Sequence, residues 1–416
     1  MTKKQSKTLI FLCWAIYVVA YLGRYSYNSN NLPISQFYGV SDMELGLVSS
    51  CFFFAYGAGQ IINGLLCRYY NMKFVLPCSV IVSSIINIVI YCGVPFQYFK
   101  YLWLLNGLAQ SMLWSSLLLI LSRNLDEKYI KIAIVVMSTT VSLGTFLSYG
   151  TSAVLATFGG FKWSFFIAAV LMTLVGIIWF FTYGKVTNKD LNVKTLENKT
   201  ESISVKQKTD KSVYKILIFF GVAAIIVNLI KDGLGTWVPK ILFDTFNLPE
   251  SLSIILTLIV PILAIFGTYL VVSLNKKIKE FSAILAIIFA MASIFTGIIL
   301  ALLSSTLWWL ILAFFGMLSL LMSGGNNIVT SMLPLSLRDR ANSGFVGGIL
   351  NGCCYLGSTI SSVGLGAISD AYGEWTPVFW LLLICSVVVV ALCSSYYAFT
   401  KINNKKIARE SAVVEE

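Results

Sequence analysis

Apolar residues run through this chain in long blocks, and short polar stretches separate the blocks. Twelve blocks reach spanning length: about 9–33, 44–66, 74–95, 101–122, 131–157, 162–183, 214–242, 251–273, 281–303, 306–334, 341–370 and 376–399. About 20 apolar residues coiled as a helix cross a hydrocarbon core of about 30 Å, so each block predicts one transmembrane helix. One stretch breaks the rhythm after the sixth block. Lys185–Ser212 is rich in lysine and nearly free of aromatics, and it predicts a flexible linker. The chain then divides into a six-span unit (1–184), the linker (185–212), a second six-span unit (213–400) and a polar tail (401–416). The expected fold class is an all-α membrane protein with twelve transmembrane helices in two pseudo-symmetric six-helix bundles.

Composition agrees with that picture: 57% of the 416 residues are hydrophobic and 12% are charged. A soluble globule is roughly 25% charged. The net charge of +12 would suit nucleic acid or anionic lipid, but its placement speaks for topology. With the N-terminus in the cytoplasm, 25 of the 30 Lys and Arg fall in the N-terminus, the even-to-odd loops and the C-terminal tail. The opposite loops hold Lys100, Lys162 and Lys240, and Arg24 and Lys231 lie within spans. This bias predicts both termini inside and an even number of spans. The bilayer is the expected partner, nucleic acid is not, and no feature calls for an oligomer, so a monomer is expected. Lys3, Lys4 and Lys7 imitate the start of a signal peptide, but no cleavage site follows.

The absence of histidine removes imidazole proton relays and most transition-metal sites. The nine cysteines sit mostly in apolar runs without a C-x-x-C pair and read as small packing residues. No cofactor or metal is expected. No nucleophile–base pair, phosphate-cradling loop or nucleotide motif is visible, so the chain reads as no enzyme. Any transport would be driven by an ion or exchange gradient.

The chemistry concentrates on Arg24, deep in the first apolar block. A central arginine costs at least about 2.5–3.5 kcal/mol there, so it calls for a watery cavity or a partner. Tyr17 and Tyr21 precede it by seven and three residues, on the same helical face. A cation flanked by phenol hydroxyls makes an anion site; an arginine snorkelling to a headgroup is the other reading.

The second unit repeats the pattern. Arg24 follows Lys7 by 17 residues, and Lys231 follows Lys215 by 16. Pro33 and Pro239 come next, and each leads to a polar turn, at Gly39–Asp42 and Asn247–Glu250. Two buried cations thus occupy equivalent depths in equivalent helices. Asp232 is the one carboxylate placed inside a span. It is a candidate coupling or cavity acid, and its position about 100° round the helix from Lys231 leaves pairing between the two optional. Asn228, three before Lys231, and Asn351, four before Tyr355, are further cavity candidates. Trp308, Trp309 and Trp375 lie near span ends and read as interfacial anchors.

Parallel six-span repeats with a site at their interface are the plan of the major facilitators. The loop after the second block, Gly64-Leu-Leu-Cys-Arg-Tyr-Tyr-Asn-Met-Lys73, resembles their G-x-x-x-D-R-x-G-x-R/K motif. Arg68 stands where the motif has aspartate, and Asn71 where it has the second glycine, a position at which asparagine tolerates a left-handed turn. Continued to Pro77, the stretch resembles the N-P-R-x-F-L-P signature of the organophosphate:phosphate antiporters, the glycerol-3-phosphate and hexose-phosphate carriers and their sensor relatives. Ala55-Tyr-Gly57, Asn106-Gly-Leu-Ala-Gln110, Lys231-Asp-Gly-Leu-Gly-Thr-Trp-Val-Pro239 and Asn351-Gly-Cys-Cys-Tyr-Leu-Gly357 agree in order.

The resemblance implies that Arg24 is the family's phosphate-binding arginine and that Lys231 replaces its partner arginine. It implies that Tyr17, Tyr21 and Tyr355 line the cavity, and that spans 1, 4, 5, 7, 10 and 11 surround it. Gln60 stands where the glycerol-phosphate type has lysine, and Val141 about where it has histidine. Gln60, Arg68, Lys73 and Asp232 are the coupling or gating candidates. The expectation is a secondary transporter of a small organic anion in the cell membrane, an organophosphate or sugar phosphate exchanged for phosphate by alternating access around Arg24 and Lys231. A proton-coupled carboxylate or sugar-acid carrier using Asp232, and a membrane sensor of a sugar phosphate, are the alternatives.

Overall fold

The computed structural model describes residues 2–158, 160–187, 211–337, 340–341 and 343–415. Most of the expected linker and its sequon at Asn198 lie outside the described residues. Everything else of length is helix. Among the described residues, eleven helices are long and apolar enough to cross a membrane. The twelfth expected span is the 30-residue helix Ser343–Tyr372 (span 11), whose glycines and serines dilute its apolar character. Those small residues have a packing cause. A Cβ on Gly357 would run into the Ile225 carbonyl of span 7 (Lys211–Phe246), and one on Gly366 would meet the Asp42 carbonyl of span 2 (Asp42–Leu66).

Several blocks are interrupted where the sequence reads as continuous. Span 1 is Lys3–Asn28, and a separate short helix, Asn31–Tyr38, follows. The break falls in Asn28-Ser29-Asn30-Asn31, whose short polar side chains compete for backbone groups. Asn30 Nδ2 donates to the Ser26 carbonyl at 2.7 Å. Pro33 therefore sits in the short helix, whereas its counterpart Pro239 lies inside the unbroken span 7. Span 4 is Phe99–Gln110 with Leu113–Asn124, and span 10 ends in a wider π turn at Ile328–Met332.

In the N-terminal half, polar side chains fasten spans 1, 3 (Met72–Tyr91) and 4 together. Ser26 Oγ donates to Asn87 Oδ1 at 2.8 Å, Ser83 Oγ to Asn106 Oδ1 at 2.5 Å, and Gln110 Nε2 to Ser83 Oγ at 2.8 Å. In hydrocarbon such bonds have no competing water, so they fix helix register. The Asn106–Gln110 stretch is thus glue.

The two halves meet most tightly at the end opposite the termini. Asp370 of span 11 accepts from the backbone N–H groups of Asp42 and Met43 at 2.9 and 2.7 Å, capping the N-terminus of span 2. Lys240 of span 7 pairs with Asp42 at 3.1 Å and with Asp244 at 3.5 Å. Asn28 donates to Thr236 Oγ1 at 3.1 Å, and Ser50 Oγ to the Thr359 carbonyl at 2.7 Å. Gly46 lies against Ser362 with no room for a Cβ. That end is closed. Trp375 belongs to this closure and is no interfacial anchor: it is buried, packs on Trp237 and donates to Asp244 Oδ2 at 3.0 Å.

Candidate functional site

Arg24 lies four residues before the end of span 1, and its side chain is 5% exposed. The guanidinium carbon sits 4.1 Å from the Tyr56 ring centroid, 4.4 Å from Tyr21 and 4.8 Å from Phe52. A desolvated cation–π contact contributes up to about 2 kcal/mol, so three rings offset the few kcal/mol that burying the charge costs. The faces of the guanidinium are satisfied in this way, but its hydrogen-bonding edge is not. Arg24 forms no ion pair among the described residues, and its buried Nε has no acceptor.

The phenols form a continuous set around it. Tyr17 packs edge-on to Tyr21 at 5.1 Å and stacks on Trp114 of span 4 at 5.1 Å. The hydroxyls of Tyr17 and Tyr56 lie 3.4 Å apart. Tyr56 packs against Tyr355 of span 11 at 4.9 Å, which carries the cluster from one half to the other. Gln60, one turn beyond Tyr56, donates to its hydroxyl at 3.0 Å and accepts from Asn351 of span 11. Gln60 and Asn351 are therefore a bridge between the halves.

Lys231 supplies the second charge. Its Nζ donates to Asp232 Oδ1 at 2.7 Å and to Asn228 Oδ1 at 3.4 Å. The Lys231 side chain is 27% exposed, against 8% for Asp232. The helical offset between neighbours does not keep them apart, because the lysine stem is long enough to fold back. The other Asp232 oxygen accepts from Ser358 Oγ of span 11. Asn228 is itself held by Asn326 Oδ1 at 3.0 Å. Tyr355, which packs on Tyr56 beside Arg24, stands about one turn before Ser358, which holds Asp232, so span 11 links the two charge centres. The charged groups thus converge on one tyrosine-lined site between spans 1, 2, 7 and 11.

One of the gating candidates stands apart from this site. Lys73 caps the flank of the N-terminal half, with its ammonium 4.9 Å from the Phe180 ring. The Arg68 side chain lies outside those described. Asn71 is extended, with φ −79° and ψ 97°, and not left-handed; it caps span 3 by accepting from the Lys73 N–H at 3.2 Å. Sequence reasoning missed Phe52, Tyr56, Trp114 and Ser358. Tyr56 was findable, since it stands one turn before Gln60 and is shared by the stretch Ala55-Tyr-Gly57.

Comparison with known proteins places this architecture. The chain is 18% identical over 422 aligned positions to a probable hexose phosphate transport protein of Chlamydia pneumoniae, covering 94% of this chain and 91% of that one. A shorter stretch of 108 positions is 26% identical to the membrane sensor protein UhpC of Escherichia coli K12, covering 26% of this chain and 24% of that one. The fold matches the crystal structure of a bacterial homologue of the human lysosomal transporter Spinster, described as inward-facing and occupied. The TM-score is 0.72 at 16% identity, over 97% of this chain and 98% of that one. Residues 13–362 match the model of the Major Facilitator Superfamily, and the chain belongs to that superfamily of multi-pass membrane transporters.

Proposed function

We propose that this transporter carries a small organic anion, an organophosphate or sugar phosphate exchanged for phosphate, by alternating access around Arg24 and Lys231. One observation carries the proposal. Arg24 is buried, held by aromatic faces, and has no carboxylate partner among the described residues. The rings compensate the faces of the guanidinium, but a buried N–H edge without an acceptor is costly unless an anion visits it. The named hexose phosphate relative supports the choice of anion.

The mechanism follows from where the charges lie. The end opposite the termini is closed by Asp370, Lys240 and Asp42, so substrate enters from the end bearing the termini. We take that end as cytoplasmic from the lysine and arginine bias of the loops, and the membrane as the plasma membrane from that bias together with the likeness to the hexose phosphate relative. An anion bound to the Arg24 edge draws span 1 toward spans 7 and 11 through Tyr355 and Lys231. Closure on the near side then releases the far closure. The empty site retains one uncompensated cation, Arg24, since Lys231 is paired with Asp232.

Proteoliposomes loaded with phosphate test this. External hexose 6-phosphate should enter in exchange for internal phosphate, and Arg24→Gln should abolish that exchange. Net efflux as fast as exchange, without counter-substrate, would overturn the exchange mechanism. A second reading rests on Asp232 lying inside the site: proton-coupled uptake of a carboxylate or sugar acid. It requires uptake that rises at acid pH and disappears in Asp232→Asn. Substrate binding with no flux in either assay would mark a sensor instead.

A further inference from the structure

The two cations of the site are not equivalent. Arg24 offers a free edge, whereas Lys231 already holds an anion of the protein's own. Asp232 places one oxygen 2.7 Å from the Lys231 ammonium, and its other oxygen takes a hydroxyl donor from Ser358. An ammonium on one oxygen and a hydroxyl on the next is the set of contacts a bound phosphate or carboxylate would make. Asp232 therefore occupies the place of a second substrate charge.

The ammonium has three donors, and two are engaged by Asp232 and Asn228. The third is reachable, because the Lys231 side chain remains 27% exposed while Asp232 is 8% exposed. A substrate oxygen arriving there gains attraction from Lys231 but also meets repulsion from Asp232, whose Oδ1 lies 2.7 Å from the same ammonium. To a visiting charge the pair is a dipole, much weaker than a free cation. The site thus presents one effective positive charge and not two.

Resting on the reading of this site as an organic-anion site, we propose that Asp232 is a specificity-determining residue that sets the charge the site accepts. With Asp232 in place, a singly charged head group binds nearly as well as a doubly charged one, because Arg24 does the work for both. Without it, Lys231 is released and the second substrate charge is rewarded. Asp232 acts through Lys231 and needs no proton transfer to do so.

The test uses the full-length purified protein at one fixed neutral pH and two probes, a hexose 6-phosphate and its methyl phosphodiester. The diester carries a single charge where the monoester carries nearly two. Dissociation constants are measured for wild type, Asp232→Asn, Lys231→Gln and the double variant Lys231→Gln/Asp232→Asn. Wild type should discriminate weakly between the probes, and Asp232→Asn should raise the preference for the monoester by roughly tenfold or more. Lys231→Gln leaves a carboxylate facing the substrate and should bind both probes poorly. The double variant removes that carboxylate and should recover diester binding by roughly tenfold. An unchanged probe ratio in Asp232→Asn, or a double variant no better than Lys231→Gln, overturns the inference. Failure of both probes to bind wild type overturns the reading of the site itself, a result distinct from either.

Discussion

Asp370→Asn should unlatch the end opposite the termini. The Asp370 carboxylate accepts two backbone N–H groups from the first turn of span 2, at 2.9 Å from Asp42 and 2.7 Å from Met43. A hydrogen bond to a charged group contributes about 1.5–3 kcal/mol, and a charge at a helix N-terminus about 0.3–1 kcal/mol more. Asparagine has the same shape but one acceptor oxygen and no charge, so one bond and the charge term are lost. Asp370 is exposed, and water compensates part of the loss, which leaves about 1–2 kcal/mol. At 1.4 kcal/mol per decade, the open-to-closed ratio at that end rises roughly 5- to 30-fold. Nitroxide labels at Phe37 and Tyr372, both exposed, report this as a longer-distance population in a cysteine-free background. An unchanged distance distribution would refute the reasoning and reduce Asp370 to a surface cap.

Two further substitutions probe packing. Gly46→Ala puts a Cβ into the Ser362 backbone carbonyl, which cannot swing aside, so the same label pair should separate; a fold destabilised by about 1–3 kcal/mol with an unchanged distance would speak against a gate there. Tyr56→Leu removes the ring nearest Arg24, at 4.1 Å, and should cost about 1–2 kcal/mol in thermal unfolding, while Tyr56→Phe, which keeps the ring, costs less. Equal effects of the two would show that the hydroxyl, and not the ring, supports Arg24.

The spans were legible because a hydrocarbon core demands long apolar runs, and Arg24 was legible because it violates that demand. The break after Asn28 was not. Hydropathy ignores the hydrogen bond that Asn30 makes to the Ser26 carbonyl. Ser343–Tyr372 shows the converse: its glycines blur the hydropathy signal for the same reason that they matter, close contact with spans 2 and 7. The Lys231–Asp232 pair escaped a reading by helical angle, because a lysine head moves independently of its Cβ direction. Along the sequence, Phe52 and Tyr56 carry no sign that they adjoin Arg24. Only the meeting of spans 1 and 2 in space turns them into a seat for a guanidinium. The closure by Asp370, Lys240 and Asp42 joins residues far apart in sequence, and no local pattern marks it.

The central claim is that Arg24 receives an anion. The most direct test is the melting midpoint of purified protein against phosphate, glycerol phosphate, hexose phosphates, sugar acids and dicarboxylates, with Arg24→Gln alongside. A ligand at a hundred times its dissociation constant stabilises the native state by about 2.7 kcal/mol. A phosphate ester should raise the midpoint of wild type and leave Arg24→Gln unmoved. No response of wild type to any anion, or an equal response from Arg24→Gln, would contradict that claim.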